Sequence, residues 1–220
     1  SRLAARWRVV FVEEPVASSG PARLERVVPC AGVQVWRPHV PGAAHGFHDD
    51  HLPVLQPLLE EAMRESQVRD YWHWYYTPMA YPLASGQSPR GVVYDCMDEL
   101  SAFRNAPRQM VQRENALLRA ADLVFTGGPS LHEAKRGRHP SVHCFPSSVD
   151  ARHFARAAQD HPLQAALPRP RLGWCGVIDE RLDLSLLAQL ADARPRWQFV
   201  MVGPVVKIDP ARLPRRANIH

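Results

Sequence analysis

The sequence has few cysteines and none of the short motifs that mark common catalytic and metal sites. It contains no G-x-S-x-G elbow, no P-loop, no H-E-x-x-H helix and no C-x-x-C pair, so hydrolase and nucleotidase chemistry lack support. The four cysteines, Cys30, Cys96, Cys144 and Cys175, are widely separated, and three lie in or beside apolar strand patterns. We therefore predict reduced core thiols in a cytoplasmic protein, with no disulfide framework and no zinc site.

Long apolar runs and lysines are also scarce. No apolar run approaches the roughly 20 residues that a membrane-spanning helix needs, and the polar opening segment does not read as a signal peptide. Lys135 and Lys207 are the only lysines among 27 basic residues, and the formal net charge is +5. The arginines are scattered without a basic, aromatic-interleaved stripe, so we expect no nucleic-acid partner. Phosphate-bearing ligands and a peripheral contact with an anionic membrane surface stay open.

Strand-like and helical patterns alternate along the chain, which predicts an α/β fold with parallel sheets and helices on both faces. Pro38 suggests the end of its strand or an edge position, and Asn105 is predicted to cap a helix with Pro107 in its first turn. Further helices are predicted at residues 53–68, at PSLHEAKRG and at LSLLAQLADA. The predicted strands are RVVFVEEP, VQVWRPHV, YWHWYYTP, GVVYDCMD, DLVFTGG, SVHCFPSS, RLGWCGVI and WQFVMVGP, with a last one beginning at ANIH.

A change of composition at residues 151–169, which are rich in Ala, Pro and charge, predicts a linker between two domains. We assign residues 1–150 to a Rossmann-like domain and residues 151–220 to the linker and the first βαβ part of a second one. A single βαβ unit is too small to bury both faces of a sheet. We therefore expect the chain to be a fragment of a larger protein.

The segment HGFHDDH supplies three imidazoles and two carboxylates within seven residues, from His45, His48 and His51 and from Asp49 and Asp50. Zinc accepts such ligands, but metal sites usually draw ligands from separate elements and have a second shell to orient them. One alternative is a solvent-exposed loop that leads into the following helix, with Asp49 or Asp50 as its cap. The alternative that we favour over a metal site is a functional loop at the mouth of a cleft.

The segment VVYDCMDE ends a predicted strand with three acids. Asp95 would lie at the carboxyl edge of a parallel sheet, where ligands bind, and could accept hydrogen bonds from sugar hydroxyls. Asp98 is predicted to cap the next turn, and Glu99 is predicted to be solvated. No metal is expected there.

The segment GVIDERLD is a predicted strand-to-helix turn that could hold an anion. A helix amino terminus after Gly176 would present free N–H groups, and Arg181 could add a charged contact to a phosphate. The alternatives are an acidic helix start capped by Asp183, and an Arg181 that only pairs with Asp179 or Asp183. Gly203 lies at the next predicted carboxyl edge.

The order of these segments resembles bacterial glycosyltransferases of family four, which have the GT-B architecture of two Rossmann-like domains. Ser147 and Ser148 replace the family's Asn-Gly pair, and Tyr94 stands where many members have the His of a His-Asp pair. YDCMDELSAF and WYYTPMA resemble more closely a subgroup sometimes described beside UDP-galactopyranose mutases. The segments that carry the wider resemblance are LLRAADLVFTGGPSL, CFPSSVDARHF, LGWCGVIDERLDLSLL and WQFVMVGP.

The resemblance implies a retaining transfer of sugar from a nucleotide-diphosphate sugar to a glycan, lipid-linked or small-molecule acceptor, without a metal or other cofactor. Residues 1–150 would bind the acceptor and residues 151–220 part of the donor. The implied site residues are Tyr94 and Asp95 for catalysis, Gly176, Arg181, Gly203 and Lys207 for the donor, and His48 and Asp98 on the acceptor side of the cleft.

The resemblance also implies that a first strand with a glycine loop precedes Ser1 and that a donor-binding glutamate pair follows His220. The chain alone is therefore expected to be inactive. Its expected location is the cytoplasm, with a peripheral position at the inner face of the membrane left open. The alternative is a non-catalytic Rossmann-like module that binds a carbohydrate or a protein, which the missing His and the replaced Asn-Gly favour.

Overall fold

A computed structural model describes residues 3–42, 44, 46–156 and 159–220. The chain forms two compact units, Ser1–Val149 and Asp150–His220. Each contains parallel strands connected through helices, which confirms the predicted α/β class.

The first sheet of the first unit is built around its longest strand. It contains β1 (Val9–Val12), β2 (Val16–Ser18), β3 (Arg23–Cys30) and β4 (Val33–Pro41). β1 and β2 pair in parallel with one edge of β4, and β3 pairs antiparallel with the other edge. β2 and β3 were not predicted from the sequence: β2 has only three residues, and β3 is charged and largely exposed and so lacks an apolar alternation.

The expectation that Pro38 ends its strand or lies in an edge strand is wrong, because β4 is the strand with which the other three pair. Pairing with β1 ends at Trp36 and pairing with β2 begins at His39. The Trp36 carbonyl accepts from Glu13 N–H at 2.9 Å, which places alternate backbone groups of β4, including that of Pro38, on this edge. The proline therefore lies at the gap between β1 and β2, where its missing N–H costs no ladder hydrogen bond.

The second sheet of the first unit is entirely parallel. Its order is β5 (Trp72–Tyr75), β6 (Gly91–Cys96), β7 (Leu123–Thr126) and β8 (Val142–Cys144). The carboxyl ends of these strands meet along one edge, which is where ligands bind in open α/β sheets.

Three helices pack around these sheets: α1 (Leu52–Glu65), α2 (Met110–Ala120) and α3 (Pro129–Lys135). The predicted Asn105 cap is wrong. The helix begins later, with Gln109 at the N-cap position, and Asn105 has a positive φ of 65° in the preceding turn. Asn tolerates that left-handed conformation better than most residues.

The core of the first unit has two clusters. The first joins the first sheet, α1 and the 3₁₀ segment Pro78–Ala84, and includes Trp36, Leu55, Leu59 and Met79. The second joins the parallel sheet to α2 and includes Tyr75, Tyr94, Leu117, Leu118 and Val124.

The second unit begins with two short helices, α4 (Ala151–Phe154) and α5 (Pro162–Ala165). They are followed by β9 (Arg171–Cys175), α6 (Leu184–Ala193) and β10 (Gln198–Val202), with β9 and β10 parallel. Residues 218–220 run beside β10: Phe199 N–H donates to Asn218 O, and His220 N–H donates to Phe199 O, both at 2.8 Å. These bonds begin the pairing expected at ANIH.

All four cysteines are free thiols, and each is the last residue of its strand. Cys96 is buried and Cys144 is half-buried, but Cys30 and Cys175 are exposed. The predicted core position is therefore wrong for those two, because an apolar strand pattern does not show whether the strand's last residue is covered. In the described part of the chain, no helix is long and apolar enough to cross a membrane.

Candidate functional site

Asp95 lies near the carboxyl end of β6, on the same face of the sheet as Trp74 and Phe125. Its register partner in β7 is Phe125, and Trp74 pairs with Val93, two residues earlier on β6. The indole Nε1 of Trp74 donates to Asp95 Oδ2 at 3.0 Å. Burial raises the pKa of the Asp95 carboxyl, and the indole hydrogen bond only partly opposes that shift.

Tyr94 lies on the opposite face from Asp95, since adjacent strand residues point to opposite sides. It is 1% exposed in the cluster packed on α2, and its hydroxyl donates to Glu114 Oε1 at 3.0 Å. Burial raises the pKa of the phenol far above its ordinary value. The predicted catalytic role of Tyr94 therefore does not fit the structure: Tyr94 is a core residue.

Glu99 is not the free, solvated acid that was predicted: its side chain is 37% exposed, but it is bound in an ion cluster with Lys135 and Glu114, which are both buried. Lys135 Nζ donates to Glu99 Oε2 and to Glu114 Oε1, both at 2.7 Å, and Arg138 Nη1 donates to Glu114 Oε2 at 3.0 Å. Lys135 is fully buried. Burial acts to lower the pKa of Lys135, but the bonds to Glu114 and Glu99 outweigh it and raise that pKa.

The ion cluster ties three elements together at the carboxyl end of β6. Lys135 is the last residue of α3, Glu114 lies on α2, and Glu99 lies in the segment that follows β6. Burial raises the pKa of Glu99, but the hydrogen bonds from Lys135 and Ser101 produce a net decrease. The cluster therefore fixes the loop that leaves β6 just beyond Asp95.

Asp98 does not cap the next turn, so that prediction is wrong. The 3₁₀ turn Leu100–Ala102 has Glu99 at its N-cap position, without a side-chain cap bond. Asp98 is exposed, and its carbonyl lies 3.5 Å from the Cys96 thiol that donates to it. Asp98 follows the carboxyl end of β6 and makes no hydrogen bond to Asp95 within the described residues; its place on the acceptor side of a cleft stays a prediction.

The 3₁₀ turn Asp49–His51, which leads into α1, is capped by His48. α1 itself has His51 at its N-cap position without a side-chain cap bond, so neither Asp49 nor Asp50 caps the helix as predicted. His48 Nδ1 accepts from Asp50 N–H at 3.2 Å. His45 lies outside the described residues. Among the residues that are described, no group of three or more His, Cys, Asp or Glu side chains is arranged to hold a metal ion.

Arg113 of α2 fixes this loop from beneath. Its guanidinium pairs with Asp49, and its Nη1 donates to the carbonyls of Met79 at 3.1 Å and Phe47 at 3.4 Å. His51 is 4% exposed, and its Nδ1 lies 3.2 Å from the Gly46 carbonyl. The loop is therefore packed against the start of α2, and His48 does not hydrogen-bond to Asp95 in the described structure.

In the second unit, two glycines bring the carboxyl ends of β9 and β10 together. Gly176 has φ 158° and Gly203 has φ 153°. A Cβ atom on Gly203 would lie 1.8 Å from the carbonyl oxygen of Gly176, so no other residue fits there without movement. Beyond the glycines the chains run in parallel again, since Ile178 N–H donates to Pro204 O at 2.9 Å.

Asp179 follows Gly176 by three residues and binds the side chain of Arg181. Its nearly buried carboxylate accepts from Arg181 Nη2 at 2.7 Å and from Arg181 Nε and backbone N–H at 3.0 Å. The Arg181 side chain is the largest cause of the lowered pKa of Asp179, and Lys207 also contributes through charge attraction. Arg181 and Lys207 therefore lie close to Asp179, and Gly176 and Gly203 lie against each other where β9 and β10 end; a donor role for these four residues stays a prediction.

Two details of this edge bear on the predictions made from the sequence. Asp183 is the N-cap of α6 and accepts from Leu186 N–H at 2.9 Å, which confirms the predicted capped helix start. Arg181 pairs with Asp179, which was the alternative to a direct diphosphate contact. Asp179 was missed as a site residue, although a carboxylate two residues before an arginine in a turn was a readable signal.

No family model matches the chain. A comparison with curated proteins connects it with the glycosyltransferases. It is 28% identical over 169 residues to "Putative teichuronic acid biosynthesis glycosyltransferase TuaH" of Bacillus subtilis (strain 168). The match covers 68% of this chain and 42% of the Bacillus protein, so the chain spans less than half of that relative.

Proposed function

We propose that this chain is part of a glycosyltransferase that uses a nucleotide-diphosphate sugar, and that its second unit holds the donor diphosphate. The observation that carries the proposal is the glycine-paired edge of β9 and β10. Two exposed basic residues, Arg181 and Lys207, are positioned there around Asp179. The similarity to the Bacillus glycosyltransferase supports the same class of activity.

The edge combines positive charge with a fixed geometry. The exposed side chains of Arg181 and Lys207 supply positive charge beside Asp179, in a turn that also carries Glu180 and Asp183. The Arg181 side chain is 57% exposed, while the Asp179 side chain is only 6% exposed. Asp179 therefore orients the guanidinium from beneath, and the outward side of the guanidinium can meet phosphate oxygens.

The first unit would supply the acceptor side through Asp95. With Tyr94 in the core, Asp95 is the remaining predicted catalytic residue with a half-buried, partly open carboxylate. Its proposed role is to accept a hydrogen bond from the acceptor hydroxyl. The proposed transfer retains the anomeric configuration, needs no metal, and uses a glycan, lipid-linked or small-molecule acceptor. The proposal also assigns residues 1–150 to acceptor binding and residues 151–220 to donor binding, in a protein located in the cytoplasm.

A second candidate function is a non-catalytic module that binds a carbohydrate or a protein. The buried Tyr94 in place of the family's histidine favours it, as does the existing pair between Arg181 and Asp179. Such a module has no need for a donor diphosphate, so donor binding separates the two candidates.

The test is a thermal-shift screen of UDP-, GDP- and dTDP-sugars against this chain. A concentration-dependent rise in the melting temperature with one of them, lost in Lys207→Ala, supports the donor site, because a ligand that binds only the folded state stabilises it. Arg196→Ala is the matched control, since Arg196 is exposed in the same unit but precedes β10. No stabilisation by any nucleotide sugar would remove the proposed donor role.

A further inference from the structure

The carboxyl half of the parallel sheet carries an aromatic face, formed by the rings of Trp74, Phe125 and Phe145, with the carboxylate of Asp95 beside them. The Trp74 and Phe125 ring centroids are 5.4 Å apart, and those of Phe125 and Phe145 are 5.1 Å apart. Trp74 is 40% exposed and Phe145 is 61% exposed. These large rings are therefore open on the same side of the sheet as a carboxylate.

The carboxylate of Asp95 is only partly satisfied. Trp74 Nε1 donates to Oδ2, whereas Oδ1 has no hydrogen-bond partner among the described residues. An apolar surface that covered this face would bury that oxygen unpaired, which is costly for a charged group. The occupant of the aromatic face must therefore combine apolar surface with hydrogen-bond donors.

From this combination we infer that the aromatic face binds the ring of a neutral pyranose, a subsite for the sugar of the acceptor; the inference rests on the proposed function. The C–H groups on one face of a pyranose carry a small positive charge and suit the negative face of an aromatic ring. Its equatorial hydroxyls can donate to Asp95 Oδ1. A few polar groups among aromatic rings are typical of sites that orient a small ligand.

An organic cation is the competing ligand, because aromatic rings with a carboxylate also attract ammonium groups. The ring planes of Trp74 and Phe125 are at 58° and those of Phe125 and Phe145 at 83°, so the three rings do not form one flat surface. A pyranose needs one exposed ring face beside a hydrogen-bond acceptor, whereas a compact cation is held best where several ring faces converge on it. Trp74, which is 40% exposed and whose indole donates to Asp95, provides the first arrangement.

The experiment titrates methyl β-D-glucopyranoside, methyl β-D-galactopyranoside, methyl α-D-mannopyranoside and choline into the full chain without donor. Binding is followed by tryptophan fluorescence and by chemical shifts of the indole N–H protons. The variants are Phe145→Ala, Asp95→Asn and Trp74→Phe. Phe154→Ala is the matched control, since Phe154 is 71% exposed in the second unit.

We expect saturable binding of at least one glycoside, with the indole N–H of Trp74 shifted. Phe145→Ala should weaken it about 2- to 13-fold, the range for one aromatic contact, and Asp95→Asn about 10-fold or more, as for a hydrogen bond to a charged group. Phe154→Ala should leave the affinity unchanged. Circular dichroism confirms that each variant is folded.

Three results would overturn the inference: no saturable glycoside binding, glycoside affinity in both Phe145→Ala and Asp95→Asn that is unchanged from that of the wild-type chain, or tighter binding of choline than of every glycoside. Because the titration contains no donor, its outcome is independent of the nucleotide-sugar screen. Glycoside binding without nucleotide-sugar binding would refute the proposed transferase while leaving the aromatic face as a sugar site.

Discussion

Replacing Lys135 with methionine should destabilise the first unit by about 3 kcal/mol, the lower end of the range for breaking a buried ion pair. Methionine keeps most of the volume of the lysine stem but removes the ammonium group. Glu114 would then be left buried with two of its three hydrogen-bond partners, the Tyr94 hydroxyl and Arg138. Glu99 would also lose its lysine partner, but its side chain is 37% exposed and can be hydrated.

The lower end of that range follows from these remaining contacts. Arg138 still compensates the charge of Glu114 at 3.0 Å, so the carboxylate is not left alone in the core. For a unit of this size, about 3 kcal/mol corresponds to a fall in melting temperature of roughly 6 to 12 °C. Removing the charge of Glu114 as well, in Lys135→Met/Glu114→Gln, should restore part of the loss, because the unpaired charge is then gone.

The assay is urea unfolding followed by circular dichroism. Lys207→Met is the matched control, since it makes the same substitution at the other lysine, which is exposed in the second unit. We expect the transition of the first unit to shift in Lys135→Met and to be unchanged in Lys207→Met. A loss under about 1 kcal/mol in Lys135→Met, the value typical of exposed pairs, would refute the reasoning that this cluster is a buried network.

Three further predictions concern other parts of the chain. Gly203→Ala should destabilise the second unit by about 2 to 4 kcal/mol, because the added Cβ would collide with the Gly176 carbonyl. The measurement is thermal unfolding, and the control is Gly173→Ala, since Gly173 has open space around it. The pKa of Glu99 is below its ordinary value of 4.5, so the stability lost in Glu99→Gln should be measurable above that pH and disappear as pH falls below it. The 220-residue chain alone should transfer no sugar, because it spans only 42% of the similar glycosyltransferase; product above that of a boiled control would contradict this.

The elements with strong apolar patterns were predictable, and the exceptions have a physical cause. β6, β7, β9 and β10 are short runs dominated by apolar residues and bounded by turns, the pattern of a strand in a parallel sheet. β3 is different, because it is largely exposed, whereas its partner β4 has the buried side chains of this sheet. An exposed strand has no apolar alternation to detect.

The site was less predictable, because position along a strand does not say what covers each face. Tyr94 and Asp95 are neighbours in sequence, yet one lies in the core and the other on the partly open face. The bond between Lys135 and Glu99 joins residues 36 positions apart. Sequence spacing gives no information about such a contact, so Glu99 was taken for a solvated acid.

The residues of the glycine-paired edge were predictable, but the pairing among them was not. Gly176 and Gly203 follow apolar strands directly, which is a signal that sequence retains. The bidentate contact between Arg181 and Asp179 depends on the conformation of the turn, which sequence alone leaves open.

The most direct test of the glycosyltransferase account is a calorimetric titration of the most stabilising nucleotide sugar into the unchanged chain, Arg181→Ala and Arg196→Ala. If Arg181 meets the diphosphate, its loss should weaken binding about 10- to 150-fold, as expected for a hydrogen bond to a charged group. Arg196→Ala should bind like the unchanged chain. Equal affinity in all three proteins would contradict the account and leave Arg181 only as the partner of Asp179.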